Sequence, residues 1–188
     1  MKYTSILALA VALTLPSLAT AEKGKEIKSG LQAGEFVGPF YVTKIAGADE
    51  DGVKVGKNLC YRCKNGGRPQ VMLFTRSTDK PVTELVQALD KAIKDNKNLR
   101  TFVNLLGEDK DELGEEAEKF AKTSKTKNVP FVVPNEFENG PEDYGISDKA
   151  DVTILLAVGG KVMANHAVAK AEDLDTKAVV KSLGKILN

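Results

Sequence analysis

Apolar residues follow two spacings along this chain, and the change from one to the other marks its elements. Over residues 36–45 (FVGPFYVTKI) aromatic and β-branched residues crowd together as they do in strands, with Pro39 marking an edge or a bulge. Asp49-Glu50-Asp51-Gly52 supplies turn chemistry and Val53-Lys54-Val55 a short return strand, so the pattern predicts an N-terminal hairpin. A loop over residues 56–69 then leads to QVMLFT (70–75), a compact apolar run between turn signals, as expected of a buried central strand. Ser77, Thr78 and Asp79 offer capping side chains, and Pro81 suits a first helical position. Val82, Leu85, Val86, Leu89, Ala92 and Ile93 recur at helical spacing, which lays one face of a helix on the sheet.

Residues 99–106 read as the next strand. A second helix over about 109–123 has Glu108, Asp109, Asp111 and Glu112 at its start and Lys119 and Lys122 near its end, in accord with the helix dipole. Its buried stripe is Leu113, Ala117, Phe120 and Ala121. Residues 129–133 form a short strand, and 134–146, with their Asn, Gly and Pro, a loop with a helical turn. VTILLAV (152–158), Gly159-Gly160 and residues 161–168 form a hairpin. Leu174, Ala178, Val179, Leu183 and Leu187 share one face of a closing helix. This order predicts an α/β fold with a mixed sheet flanked by helices on both faces, and right-handed crossovers restrict its topology.

The first residues read differently. Lys2 precedes a ten-residue apolar run (6–15, ILALAVALTL), and Ala19-Thr20-Ala21 offers a small-x-small cleavage site before Glu22. That is the pattern of a signal peptide over 1–21, too short for a membrane span of about twenty residues. The expected organisation is a cleaved leader, a polar lead-in over 22–35 and one domain over 36–188, in an exported protein, periplasmic or extracellular, with no membrane insertion after cleavage. The chain has 27 basic and 26 acidic residues, and losing Lys2 with the leader balances them. Mixed, balanced charge gives no bias toward nucleic acid or an anionic membrane surface.

The order of elements resembles the thioredoxin-like superfamily, in particular its peroxiredoxin-like and cytochrome-maturation branch. The resemblance spans roughly residues 36–187 and rests on QVMLFT entering a helix, on Tyr144-Gly145-Ile146 before a strand, and on VTILLAVGGKV before the last helix. It implies a thioredoxin-like sheet carrying the N-terminal hairpin as an extension. In that family the reactive cysteines follow the first central strand, and a cis-proline faces them from a later strand. Here those places hold Thr75-Arg76-Ser77-Thr78-Asp79 and Val152-Thr153, without a cysteine or a proline.

The two cysteines, Cys60 and Cys63, stand before the central strand with Cys-x-x-Cys spacing. In the resembling fold this puts them near the opposite pole of the sheet or against the N-terminal hairpin. Three uses fit the spacing. A disulfide could fix the turn at Asn65-Gly66-Gly67, contributing about 2 kcal/mol across so short a loop. The pair could exchange with partner thiols, with Cys60 as the more exposed nucleophile, Cys63 as the resolver, and Arg62, Lys64 and Arg68 lowering the thiolate pKa. Metal binding would need further ligands, and the chain offers one histidine, His166, in a strand where a packing role is the commoner one. Lys64 after Cys63 disfavours covalent haem.

Other features carry less. Ser77, Thr78 and Asp79 could bind an anion at a helix N-terminus, but capping explains them more cheaply. One histidine gives a hydrolase triad no support, and Gly66-Gly67 and Gly159-Gly160 read as turn pairs rather than phosphate loops. Glu136, Glu138, Glu142 and Asp143 read as an acidic surface loop that could hold calcium loosely. Tyr61 and Phe40 look too isolated to mark a binding surface, and no motif implies a cofactor. The sequence therefore reads as an exported thioredoxin-like module with a displaced Cys-x-x-Cys. It either binds a protein partner around a local disulfide or acts as a thiol–disulfide oxidoreductase.

Overall fold

The computed structural model describes residues 27–187; the leader and the start of the lead-in lie outside them. Its sheet has seven strands. β1 (Val42–Ala46), β2 (Asn58–Leu59), β3 (Gln70–Thr75), β4 (Arg100–Leu105), β5 (Phe131–Pro134), β6 (Val152–Val158) and β7 (Lys161–Val168) lie in the order β2-β1-β5-β4-β3-β6-β7. β3, β4 and β5 run parallel, and β6, β7, β1 and β2 close the two sides with antiparallel pairings. β3 is buried on both faces along its whole length, as its unbroken apolar run demands.

Among the described residues five helices follow in chain order: α1 (Tyr61–Asn65), α2 (Lys80–Asp95), α3 (Lys110–Ser124), α4 (Thr176–Ser182) and α5 (Gly184–Leu187). The steps from β3 to β4 and from β4 to β5 proceed in one direction across the sheet. Right-handed crossovers therefore place α2 and α3 on the same face. There Leu85, Val86, Leu89, Leu113, Ala117 and Phe120 join Val179 and Leu183 over Val71, Leu73, Val103 and Ile154. The other face carries only short α1, a 3-10 turn (Glu142–Tyr144) and the chain N-terminal to β1. The predicted closing helix is divided into α4 and α5 at Leu183-Gly184.

Two expectations near the N-terminus need correction. The strand expected over 36–45 is reduced to Val42–Ala46, with only an isolated bridge from Phe36 to Lys161 before it. Pro39 has no N–H for a ladder, and Phe40 turns into the core, where its ring lies 5.0 Å from Tyr144, 5.8 Å from Phe74 and 5.9 Å from Phe102. Val53-Lys54-Val55 is not a strand, and β1 pairs instead with Asn58–Leu59. The carbonyls of Ala48 and Val53 point inward to Lys44 Nζ, at 2.9 and 2.8 Å, so this segment wraps around a buried ammonium group.

The lead-in is built into the same unit. Gly34 N–H donates to Val162 O, Val37 N–H to Gly160 O, and Asn165 Nδ2 to the carbonyls of Ser29 and Leu31. This segment shields the free edge of β7, the protection an outer strand requires.

On the helical face, Asp90 of α2 holds the loop that precedes β5. Its Oδ1 accepts from Lys127 N (2.9 Å), Asn128 N (2.7 Å) and Asn128 Nδ2 (3.0 Å), while Lys94 Nζ lies 3.0 Å from Oδ2. Burial alone would raise this carboxyl's pKa, but the hydrogen bonds outweigh it and hold the pKa below the usual carboxylate value. A pKa lower in the folded state means stability that is fully present above the unfolded value of about 4 and is lost as pH falls through the folded one. Asp90→Asn is thus expected to cost about 1.5–3 kcal/mol at pH 7. Its urea midpoint should then fall less than the wild type's between pH 5 and pH 3, and equal slopes would refute this account.

Candidate functional site

The disulfide between Cys60 and Cys63 is formed. Cys60 is the N-cap residue of α1, extended in backbone, and its Sγ accepts from the Cys63 amide at 3.0 Å. A sulfur placed there receives one of the unpaired donors of the first helical turn, the kind of contact that stabilises a thiolate.

α1 lies across the second face of the sheet and lodges against the segment that follows β1. Tyr61 stacks on Phe102 at 5.6 Å and 24°, and its hydroxyl donates to Asp51 Oδ2. Asp51 Oδ1 in turn accepts from Val53 N at 2.7 Å and from Lys44 Nζ at 2.9 Å. With Ala48 and Val53 carbonyls on its other donors, the fully buried Lys44 has every N–H in use. Burial, then the bond to Asp51 and that carboxylate's charge, push the Tyr61 pKa far up, so its hydroxyl stays protonated and stays a donor. Both sequence expectations for the pair's location are met: α1 packs against the N-terminal extension through Tyr61 and lies by the β6–β7 turn, at the pole opposite Thr75 and Val152.

The two sulfurs differ in access, opposite to the sequence expectation. Cys60 is only 8% exposed, whereas Cys63 is exposed on the outer side of α1. The cause is the register of the helix: Tyr61 and Asn65 face the core, so Cys60 at the cap is drawn in with Tyr61 while Cys63 turns outward. The expected ring of positive charge is also looser than the sequence suggests. Arg62 folds back on the β6–β7 turn, where a Cβ at Gly160 would meet its Nη2 at 3.1 Å. Arg68 faces Arg100, whose pKa is lowered first by burial and then by the Arg68 charge.

The place where the resembled fold family carries its reactive cysteines lies elsewhere and is filled differently. Thr75 and Val152 are direct cross-strand partners, so the two places that would hold a cysteine and a proline do face each other. Arg76 spans this pole, donating to Glu138 O at 2.7 Å and to Asn139 Oδ1 at 2.8 Å. Asp79 is the N-cap residue of α2, yet its side chain makes no capping bond; Ser77 Oγ accepts from Asp79 N instead, at 3.1 Å. Thr78 Oγ1 bonds Glu116 of α3 at 3.0 Å, and Pro81 is the second helical residue rather than the first.

His166 of β7 is hydrogen-bonded through Nε2 to Ser182 Oγ of α4 at 2.9 Å. Among the described residues no three His, Cys, Asp or Glu side chains converge where a metal ion could sit, and no helix is long and apolar enough to cross a membrane. Sequence reasoning gave Lys44 no role and read Asp51 only as a turn residue, and it set Tyr61 and Phe40 aside as isolated although both belong to one aromatic cluster. One signal for Lys44 was available: it shares strand parity with the inward-facing Val42.

The order of strands and helices is that of a thioredoxin-like fold, which here carries its Cys-x-x-Cys before the central strand. Among solved structures, the chain resembles the thioredoxin domain of a thiol-disulfide oxidoreductase from Bacteroides vulgatus, with 15% identity over 84% of this chain and 99% of that one and a TM-score of 0.59. A thiol-disulfide oxidoreductase from Bacteroides fragilis is similar at 17% identity, over 81% and 100% of the two chains, with a TM-score of 0.54. AhpC from Mycobacterium bovis is similar at 14% identity, over 81% and 90%, with a TM-score of 0.56. No protein-family model and no curated protein matches the chain. At these identities the likeness establishes the fold.

Proposed function

We propose that this chain is an exported thioredoxin-fold module that engages a protein partner by thiol–disulfide exchange at the Cys60–Cys63 pair, with Cys63 as the sulfur that meets the partner. The observation that carries this reading is the division of labour between the sulfurs. Cys63 is open to attack, and Cys60 sits at a helix cap with an amide N–H directed at its sulfur. A partner thiolate attacks Cys63 Sγ, the Cys60–Cys63 bond breaks, and Cys60 leaves as a thiolate. A second thiol of the partner then attacks the mixed disulfide. It releases Cys63 and leaves the partner oxidised by two electrons and the pair reduced. Run backwards, the same steps reduce a partner disulfide, with Cys63 as nucleophile and Cys60 as resolver.

A second reading, a structural clip for α1, is favoured by the burial of Cys60 and the stacking of Tyr61. The reduction potential separates the two readings. It would be measured by thiol trapping in glutathione buffers on protein recovered from the exported fraction, whose first residue is expected to be Glu22. A value between about −120 and −270 mV supports exchange, and one below about −300 mV marks an inert clip.

A further inference from the structure

We propose that Tyr61, held by Asp51 and through it by Lys44, is a positioning residue that keeps Cys60 and Cys63 in reach of each other and so sets how readily the pair closes. This rests on the exchange reading above and adds the group that governs it. Tyr61 is one of the two residues between the cysteines, and it is fixed at two points that do not involve sulfur. Its ring lies on Phe102, and its hydroxyl is bound by Asp51. Asp51 is itself held by Val53 N and by the Lys44 ammonium, whose remaining donors bind the carbonyls of Ala48 and Val53. At the other end of α1, Asn65 is buried and donates to Gln70 Oε1 of β3 at 3.4 Å.

The first turn of α1 is therefore pinned by contacts that do not depend on the disulfide bond for a partner. Two thiols held close by a rigid scaffold re-form their bond as an intramolecular step, favoured over thiols on a freely moving loop. Oxidation joins the two sulfurs with loss of two electrons and two protons to a disulfide acceptor such as oxidised glutathione. The relay enters neither side of that balance and acts only on the approach of the sulfurs. A tyrosine that merely filled the core would stabilise the oxidised and reduced forms alike and would leave the potential unchanged.

The test uses the mature chain and three variants, equilibrated in dithiothreitol and in glutathione buffers. Tyr61→Phe keeps the ring on Phe102 and removes the bond to Asp51. It is expected to lower the equilibrium constant for disulfide closure about tenfold, a rise of about 30 mV for this two-electron couple. Asp51→Ala should shift the potential in the same direction, and the double variant no further than the larger single shift, because both cut one relay. Phe120→Leu, in the core of the other face, should lower the melting temperature and leave the potential in place.

A Tyr61→Phe potential within about threefold of the wild-type equilibrium constant overturns the proposal, as does a double variant whose shifts simply add. A wild-type potential below about −300 mV sinks the exchange reading instead, and the Tyr61→Phe shift in dithiothreitol buffer still decides the positioning role.

Discussion

Replacing Cys60 with serine is expected to leave a chain that captures a disulfide-bearing protein or peptide as a stable mixed disulfide through Cys63, while Cys63→Ser captures nothing above the buffer control. The asymmetry follows from access. Exchange requires a thiolate to approach a sulfur in line with the bond that breaks, and Cys60 is nearly enclosed while Cys63 is exposed. In Cys60→Ser the thiolate of Cys63 attacks a partner disulfide, the partner's second sulfur leaves as a thiolate, and no resolving thiol remains to complete the turnover. Serine at position 60 retains an oxygen to accept the Cys63 amide, so the cap of α1 need not unravel. The adduct is read by mass spectrometry and by its release with reductant. If Cys60→Ser forms no adduct, the pair is a clip; both serine variants should then show only a similar stability loss of about 2 kcal/mol.

The serine pair also separates the present site from the family's usual one. At that pole Thr75 and Val152 are paired across the sheet and Arg76 ties down residues 138 and 139, so no thiol is present there. The resemblance to thiol-disulfide oxidoreductases is thus one of scaffold, and any exchange would run on the other face, under the N-terminal extension.

How far the sequence revealed this depended on whether a residue's role was periodic. α2 and α3 were legible because their apolar positions repeat at a spacing that buries one helical face, and β3 and the β6–β7 hairpin because compact apolar runs stand between turn signals. The order of those elements then carried the thioredoxin-like topology. The N-terminal extension was not legible, because tertiary contacts override its local signals. Val53 and Val55 have strand-forming side chains, but the Val53 carbonyl is turned toward Lys44 and the ladder resumes at Asn58. α1 has five residues, too few for any periodicity to register, so the helix bearing Cys63 read as a loop. The spacing of the cysteines gave the pair, but not its orientation. Which cysteine faces water is decided by Tyr61, whose ring rests on Phe102 and whose hydroxyl is held by Asp51, itself held by Lys44.

Loss of Lys44 should cost the domain heavily. Lys44→Met preserves the length of the side chain and removes its charge, leaving the Ala48 and Val53 carbonyls without their donor and the Asp51 carboxylate without its counter-charge. Lys44 is only 1% exposed and the Asp51 side chain 19%, so hydration can replace these contacts only in part. Removing one partner of a buried pair typically costs about 3–5 kcal/mol, most of it from the groups left behind. In a domain of this size that corresponds to a fall of roughly 6–20 °C in melting temperature. Lys80→Met is the matched control: its pair with Glu84 spans 3.7 Å between two exposed side chains, and its loss should cost no more than about 0.5 kcal/mol. Because the same ammonium orders residues 48–53 and, through Asp51, Tyr61, Lys44→Met should also open that segment to protease while the sheet remains folded. Equal melting temperatures for the two methionine variants would mean that the extension is held by its apolar contacts alone, and the polar chain from Lys44 to Tyr61 would then lose its structural basis.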